Sequence, residues 1–139
     1  MNTHAIGDST INLLLNIYNK VLKNKKDPRW RIEHAQIIDL DDMNSFNNKI
    51  LPSVQPTHAT SDMYWAEDRI GPNRIKGAYA YKTLLKKYGV IGLGTDFPVE
   101  KVNPFYTFYA ATSRKDLTGF PENGFEKENS LSREETLKG

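Results

Sequence analysis

Val90-Ile-Gly-Leu-Gly-Thr-Asp-Phe-Pro-Val99 is the stretch on which the predicted fold of this chain depends. The run has no polar side chain before Thr95, which is typical of a strand covered on both faces of a parallel sheet. Pro98 cannot donate to a sheet ladder, so we expect the strand to end beside Asp96. Because ligands bind outside the carboxyl ends of parallel strands, Asp96 is the first candidate functional residue.

Segments of helical periodicity alternate with short apolar runs along the rest of the chain. One expected strand ends near Ala5, and the others lie within 29–38, 50–56 and 90–99. The expected helices cover 8–26, 39–48, 74–88 and 103–114, with a last one beginning at Ser132, while 59–72 predicts a long loop or a broken helix. This alternation predicts an α/β fold with a parallel sheet.

The candidate polar residues recur at the spacing of a β/α repeat. His4 and His34 are 30 residues apart and His34 and Asp96 are 62 apart, close to one and two units of an eight-unit barrel with about 31 residues each. Gln55 and His58 follow the strand between them. Imidazoles and a carboxylate at one sheet edge predict a divalent metal site of the zinc class. Each of these residues can also be purely structural, as a hydrogen-bonded histidine or a turn-forming aspartate.

Composition narrows the class of protein. With 139 residues, 38% hydrophobic and 26% charged, the chain predicts one ordinary globular unit over 1–139. A net charge of +2 is too even a balance to indicate nucleic acid, and the lack of cysteine excludes disulfides and thiolate metal sites. No stretch has the apolar length of a membrane helix and the first residues do not form a signal peptide, so the chain as written predicts a cytoplasmic protein; its natural start is expected upstream.

Five motifs, in this order, resemble the second half of the metal-dependent amidohydrolases. The similarity is greatest to the branch that contains N-substituted formamide deformylase. The motifs are His4-Ala-Ile-Gly-Asp8, Arg31-Ile-Glu-His-Ala-Gln36, Ser53-Val-Gln-Pro-Thr-His58 with Asp62 and Trp65, Arg69-Ile-Gly71, and Gly94-Thr-Asp-Phe-Pro-Val99 with Asn103-Pro104.

The resemblance implies a (β/α)8 barrel, of which this chain supplies strand–helix units five to eight. It assigns His4, His34 and Asp96 to the metal, most often zinc, and makes Asp96 the general acid and base. It implies that a metal-bound hydroxide hydrolyses non-peptide carbon–nitrogen bonds of amide type in a small-molecule substrate. The residues it implies for substrate binding are Gln55, His58, Asp62, Trp65 and Arg69.

The family's first-half motifs have no counterpart here: neither the His-x-His pair nor the bridging lysine or glutamate is present. We therefore expect a fragment of an enzyme that is inactive alone and that self-associates or pairs with the missing half-barrel, without nucleic-acid or membrane partners. A small α/β binding or scaffold protein without catalysis is the alternative. A serine or cysteine hydrolase is disfavoured, because the chain has no Gly-x-Ser-x-Gly elbow and no cysteine. The substrate and the number of metal ions stay open.

Overall fold

The computed structural model describes residues 1–139 and contains a four-stranded parallel sheet whose strands alternate with helices. The strands are β1 (Asn2–Ala5), β2 (Trp30–His34), β3 (Ile50–Val54) and β4 (Gly92–Leu93), and they lie side by side in the order β1-β2-β3-β4. Every adjacent pair is parallel. The carboxyl ends of all four strands therefore lie at one edge, and the predicted α/β class is confirmed.

Six α-helices connect or follow these strands. None of them has the length and apolar content needed to cross a membrane. Three short 3-10 helices, at Leu40–Ser45, Ile75–Gly77 and Lys127–Asn129, complete the connections. The α-helices are α1 (Asp8–Val21), α2 (Pro56–Asp62), α3 (Ala66–Arg74), α4 (Tyr81–Tyr88), α5 (Pro104–Ser113) and α6 (Arg133–Lys138).

Helix α1 shows how the apolar spacing builds the core. Ile11 and Leu15 are almost completely buried, and the Tyr18 ring packs edge-on against Trp30 with their centroids 5.0 Å apart. Burying each aliphatic side chain of this kind contributes about 2 kcal/mol. Val21, which the spacing places on the same stripe, is instead 50% exposed, whereas the next residue, Leu22, is 1% exposed.

Strand β4 is much shorter than the strand that the sequence predicts within 90–99. Only Gly92 and Leu93 pair with β3, and the Gly94 N–H donates the last hydrogen bond to the carbonyl of Val54 at 2.9 Å. The chain then turns through Asp96, whose φ of 57° lies in the left-handed region. The turn ends the ladder and leaves Asp96 beyond the carboxyl end of the strand.

The predicted helix over 74–88 is also shorter, and α4 begins only at Tyr81. The preceding residues bond instead to the segment that follows β2: the Tyr79 N–H donates to the Gln36 carbonyl at 2.7 Å. Gly77 permits this close approach, since a Cβ there would lie 1.9 Å from the carbonyl oxygen of Ile38. A tertiary contact thus replaces the first helical turns.

Two further expectations concern connections. The region 59–72 is a broken helix, because α2 and α3 are separate and α3 is interrupted at Gly71. The φ angle of Gly71 is 80°, and Pro72 follows it directly. The capping box predicted at Ser132 is confirmed, with the Ser132 hydroxyl accepting from the Glu135 N–H and the Glu135 carboxylate accepting from the Ser132 N–H.

Candidate functional site

Three side chains, which we call the rim group, converge at the carboxyl edge of the sheet: His34, His58 and Asp96. His34 ends β2, His58 lies in the first turn of α2, and Asp96 follows β4. One potential ligand atom from each lies within 4.8 Å of the other two. Both histidines are 7% exposed, whereas the Asp96 side chain is 37% exposed. The rim group could therefore hold a divalent cation that remains open to a substrate on the Asp96 side.

The backbone is strained at two of these three residues. The φ angles of His34 and Asp96 are 71° and 57°, in the left-handed region that residues other than glycine rarely adopt. Such a conformation costs about 1–3 kcal/mol and persists only where the surrounding structure holds it in place. Here the strain turns both side chains towards one another at the ends of their strands.

The His34 ring is kept neutral by its surroundings. Its Nδ1 atom is buried without a hydrogen-bond partner, and burial, reinforced by the nearby His4, lowers the pKa of His34 below its usual range. A neutral imidazole has the free electron pair that a metal requires. A buried nitrogen without a partner costs about 1–3 kcal/mol, which a bound cation would offset.

His58 lies between two carboxylates. Its Nε2 atom is 3.2 Å from Oδ2 of Asp96, and its Nδ1 atom is 3.4 Å from Oε1 of Glu100. The Ser61 hydroxyl donates to the same Glu100 oxygen at 2.6 Å. The sequence pattern did not single out Glu100; the available signal was a second carboxylate four residues after Asp96 in the same loop.

The rim group opens into a pocket of about 490 Å³. His4 lies in its wall and packs edge-on against His34, with ring centroids 4.5 Å apart, but His4 is not one of the three residues whose ligand atoms converge. The lining residues are His4, Ile6, His34, Gln36, His58, Asp62, Trp65, Asp96, Val99 and Glu100.

Asp62 and Trp65 form the part of the wall that α2 and its following turn supply. The Asp62 carboxylate accepts hydrogen bonds from the Tyr79 hydroxyl at 2.8 Å and from the Gln36 amide at 3.1 Å. Burial raises the pKa of Asp62 above its usual range, and burial also raises the pKa of Tyr79. The two donors fix the orientation of a carboxylate that faces the pocket.

The remaining two predicted substrate residues do not line this pocket. Gln55 is buried at the end of β3, where its Oε1 atom has no partner and its main-chain carbonyl accepts from the Tyr81 hydroxyl at 3.0 Å. Arg69 is exposed on α3. Their roles in substrate binding stay predictions.

Comparison with known proteins gives this geometry its context. The family model described as the amidohydrolase family matches residues 1–138. The chain belongs to the amidohydrolase family. The amidohydrolase resemblance of the motifs is thereby confirmed, whereas the nearer resemblance to the formamide deformylase branch stays a prediction.

Two relatives are similar in sequence to this amidohydrolase chain. Protein LONG AFTER FAR-RED 3 of Arabidopsis thaliana is 35% identical over 115 residues, which cover 80% of this chain and 20% of that protein. The putative amidohydrolase YtcJ of Bacillus subtilis is 35% identical over 113 residues, covering 81% of this chain and 21% of the relative. The chain thus spans about a fifth of the length of these relatives.

Two crystal structures share the fold of this amidohydrolase chain. An uncharacterized metal-dependent hydrolase from Pyrococcus horikoshii OT3 superposes with a TM-score of 0.81 at 31% identity, over 98% of this chain and 27% of that structure. An uncharacterized metal-dependent hydrolase from Pyrococcus furiosus gives a TM-score of 0.78 at 31% identity, over 98% of this chain and 26% of that structure. Family and fold therefore agree on a hydrolase-like architecture.

Proposed function

We propose that this chain forms the metal-binding edge of a hydrolase that cleaves non-peptide carbon–nitrogen bonds of amide type in small molecules. The observation that carries the proposal is the convergence of His34, His58 and Asp96, whose ligand atoms lie within 4.8 Å of one another at the open edge of the sheet. The amidohydrolase family match supports the reaction class, and the two metal-dependent hydrolase structures support the need for a metal.

The rim group fits a zinc-class ion by the chemistry of its donors. Two neutral imidazoles and one carboxylate are a ligand set that zinc accepts, and the buried, unpartnered His34 nitrogen is free to take part. When bound, the ion supplies Lewis acidity that polarises the substrate carbonyl and makes water a better nucleophile at neutral pH.

Asp96 is the residue that we propose moves the proton. Its carboxylate is exposed enough to reach a water molecule and the substrate, and it lies 3.2 Å from His58 Nε2. As water attacks the carbonyl carbon, Asp96 takes its proton; as the carbon–nitrogen bond breaks, Asp96 returns that proton to the leaving nitrogen. The products are a carboxylic acid and an amine.

The pocket walls supply the proposed substrate contacts. Asp62, held by Tyr79 and Gln36, offers a fixed hydrogen-bond acceptor, and Trp65 offers an apolar surface that is 48% exposed. His4 lies in the pocket wall beside His34 and remains a candidate metal ligand in the assembled enzyme. Gln55 and Arg69 are proposed to act through parts of the whole protein that this chain does not include.

We also propose that β1–β4 are strands five to eight of a (β/α)8 barrel and that 1–139 lies within that one domain. The parallel order, the spacing of the strands and the coverage of about a quarter of each Pyrococcus structure support this arrangement. The isolated chain is expected to turn over little or no substrate, because three ligands on an open edge hold a metal and water less firmly than a closed barrel. Self-association, or pairing with the other half-barrel, would cover that edge.

Zinc content measured after dialysis in metal-free buffer tests the metal site. We expect about one zinc per chain, lost in His34→Ala and retained in the control Arg133→Ala, which removes an exposed charge on α6 away from the rim group. Equal zinc in the wild type and in His34→Ala, or none in either, would contradict the site. An assay with N-formyl and N-acyl amines, run on the same samples, tests inactivity: zinc-dependent turnover by the isolated chain would overturn it.

A further inference from the structure

A second pocket lies against a different face of α2 from the one that carries His58. It is bounded by Thr57 and Thr60 of α2, by α5 and by the loops before and after α5, and we call it the side pocket. Glu100 is the one lining residue that it shares with the pocket of the rim group. Its volume of about 370 Å³ is in the range of small-molecule sites, about 300–1,000 Å³. The side pocket is therefore large enough for a ligand of its own.

Three tyrosines give the side pocket an aromatic lining. Tyr64 follows α2, and Tyr106 and Tyr109 lie on α5. The Tyr64 ring is held in place, because it stacks on Phe120 with centroids 5.7 Å apart and its hydroxyl donates to Asp116. Aromatic rings pack favourably against one another, so this lining favours a ligand that carries an aromatic ring.

The two carboxylates of the side pocket already have hydrogen-bond donors. Glu100 accepts from the Ser61 hydroxyl at 2.6 Å. Asp116 accepts from the main-chain N–H groups of Thr118 at 2.8 Å and Phe120 at 3.0 Å. The protein itself therefore satisfies the negative groups that line the pocket.

The two lysines of the side pocket have no comparable partners. No salt bridge of the chain includes Lys101 or Lys115. The Lys101 ammonium lies 5.7 Å from the ring centroid of Tyr106, and Lys115 is half-buried. Thr57, which is 9% exposed, also has a hydroxyl oxygen without a hydrogen-bond partner. The unpaired polar groups of the pocket are thus two cations and a hydroxyl, all of which can donate to an anion.

We propose that the side pocket binds a small molecule that carries an aromatic ring and a carboxylate. The tyrosines contact the ring, and Lys101 and Lys115 pair with the carboxylate. An anion is favoured over a cation because the carboxylates of the pocket are already hydrogen-bonded, whereas the lysines are free. The site requires no metal, so the inference goes beyond the proposed hydrolase function and does not depend on it.

Phenylacetate, titrated into the metal-free chain, is the probe for this site. In ¹⁵N-labelled protein we expect it to shift the backbone amide signals of Thr60, Tyr109 and Ala110, which line the side pocket, but not those of His4 and Gln36, which line only the pocket of the rim group. Phenylacetamide and phenethylamine carry the same ring with a neutral or a cationic group, and each should bind about 10-fold more weakly. Equal binding of all three compounds, shifts confined to the rim group or no binding of phenylacetate would overturn the inference.

Two lysine variants test the contact with the anion. Lys101→Met and Lys115→Met keep most of the apolar stem and remove the charge, so each should weaken phenylacetate binding about fivefold, the effect of one surface ion pair. The matched control Lys86→Met removes an exposed charge on α4, outside the pocket, and should leave the affinity unchanged. Wild-type affinity in both pocket variants would contradict the proposed contact.

A titration with zinc present separates the side pocket from the rim group. Because lysines rather than a metal hold the carboxylate, we expect the same affinity for phenylacetate with and without zinc. Binding that requires zinc would place the carboxylate on the metal and refute the inference. A chain that binds phenylacetate but no zinc would contradict only the proposed metal function, and a chain that binds zinc but no phenylacetate would contradict only the side pocket.

Discussion

His34 and Arg114 are two of the residues whose buried polar atoms lack hydrogen-bond partners, and they lie in different settings. In the rim group, the Nδ1 atom of His34 is unpaired, but the ring lies beside a pocket that three carboxylates also line. Arg114 is completely buried and both of its terminal nitrogens are unpaired. Its Nε atom donates to the Phe125 carbonyl at 2.8 Å, and its guanidinium carbon lies 5.0 Å from the Tyr81 ring centroid and 5.7 Å from that of Phe125.

The difference shows when an unpaired buried polar atom indicates a ligand. The Arg114 guanidinium faces two aromatic rings, which attract a cation, and the carboxylates of Glu126 and Glu128 also favour its charge. Burial lowers the pKa of Arg114 from its usual value, as it does for His34, so burial alone does not separate the two. What distinguishes His34 from Arg114 is its neighbours, because in the rim group several ligand atoms lie close together at an open pocket. We expect the rim group to serve binding and Arg114 to serve stability.

Replacing Arg114 should have the largest effect of these variants. Arg114→Ala removes a fully buried side chain, one hydrogen bond and two ring contacts, so the free energy of unfolding should fall by about 3 kcal/mol or more. The zinc bound per folded molecule should not change. Urea unfolding of the metal-free chain measures the first quantity, and the exposed Arg133→Ala, expected within about 0.5 kcal/mol of the wild type, is the control. A loss of zinc affinity without a loss of stability would contradict the view that Arg114 serves stability and the rim group serves binding.

Replacing Asp96 should lower zinc affinity and leave stability almost unchanged, the reverse of the result expected for Arg114. Asp96→Asn keeps the size of the side chain, and asparagine tolerates the left-handed backbone, but the negative charge is lost. We expect zinc affinity to fall by about 100-fold, or about 2.7 kcal/mol, with little change in metal-free unfolding. Competition with a chelator and urea unfolding on one sample measure both. Unchanged zinc affinity would show that Asp96 is not a metal ligand.

Tyr79 contacts both the pocket of the rim group and the aromatic ring of Phe125, which Arg114 also faces. Its hydroxyl donates to Asp62 in the pocket wall, and its ring packs against Phe125, with centroids 5.8 Å apart. Tyr79→Phe keeps the ring contact and removes one hydrogen bond to a half-buried carboxylate, so the free energy of unfolding should fall by about 1 kcal/mol. Zinc affinity should change by less than in Asp96→Asn. A larger loss of affinity than of stability would place Asp62 among the metal contacts.

The pH dependence of stability should show the smallest effect, at most about 1.4 kcal/mol per pH unit. Burial holds the pKa of folded His34 below its ordinary value of 6.5, so as the pH falls the unfolded chain takes up the proton first. The contribution to stability is complete above pH 6.5 and is lost as the pH falls from there towards the lower folded pKa. Metal-free His34→Gln should give a flatter curve below pH 6.5, and the difference between the two curves isolates His34 from the carboxylates. Parallel curves would show that His34 is not held neutral.

Much of the rim could be predicted because local patterns determine where parallel strands end. The alternation of apolar runs and helical spacing predicts the α/β class, and His34 and Asp96 follow directly from their strands. His58 and Glu100 are different: they are 42 residues apart, and their contact depends on the turn at Asp96. Arg114 was not predicted to be buried, since arginine is rarely buried without a charged partner.

The sequence by itself determined the order of strands and helices, the apolar stripe of α1, the capping box at Ser132 and the positions of polar residues at strand ends. Each depends on neighbours within a few residues, through side-chain periodicity, capping or the geometry of proline. Only the tertiary structure decided that β4 stops after Leu93, that Gly77 packs against Ile38, and that a ligand atom of His58 lies close to those of His34 and Asp96. These outcomes depend on backbone turns and packing between distant segments, where a change in one left-handed residue redirects a whole side chain.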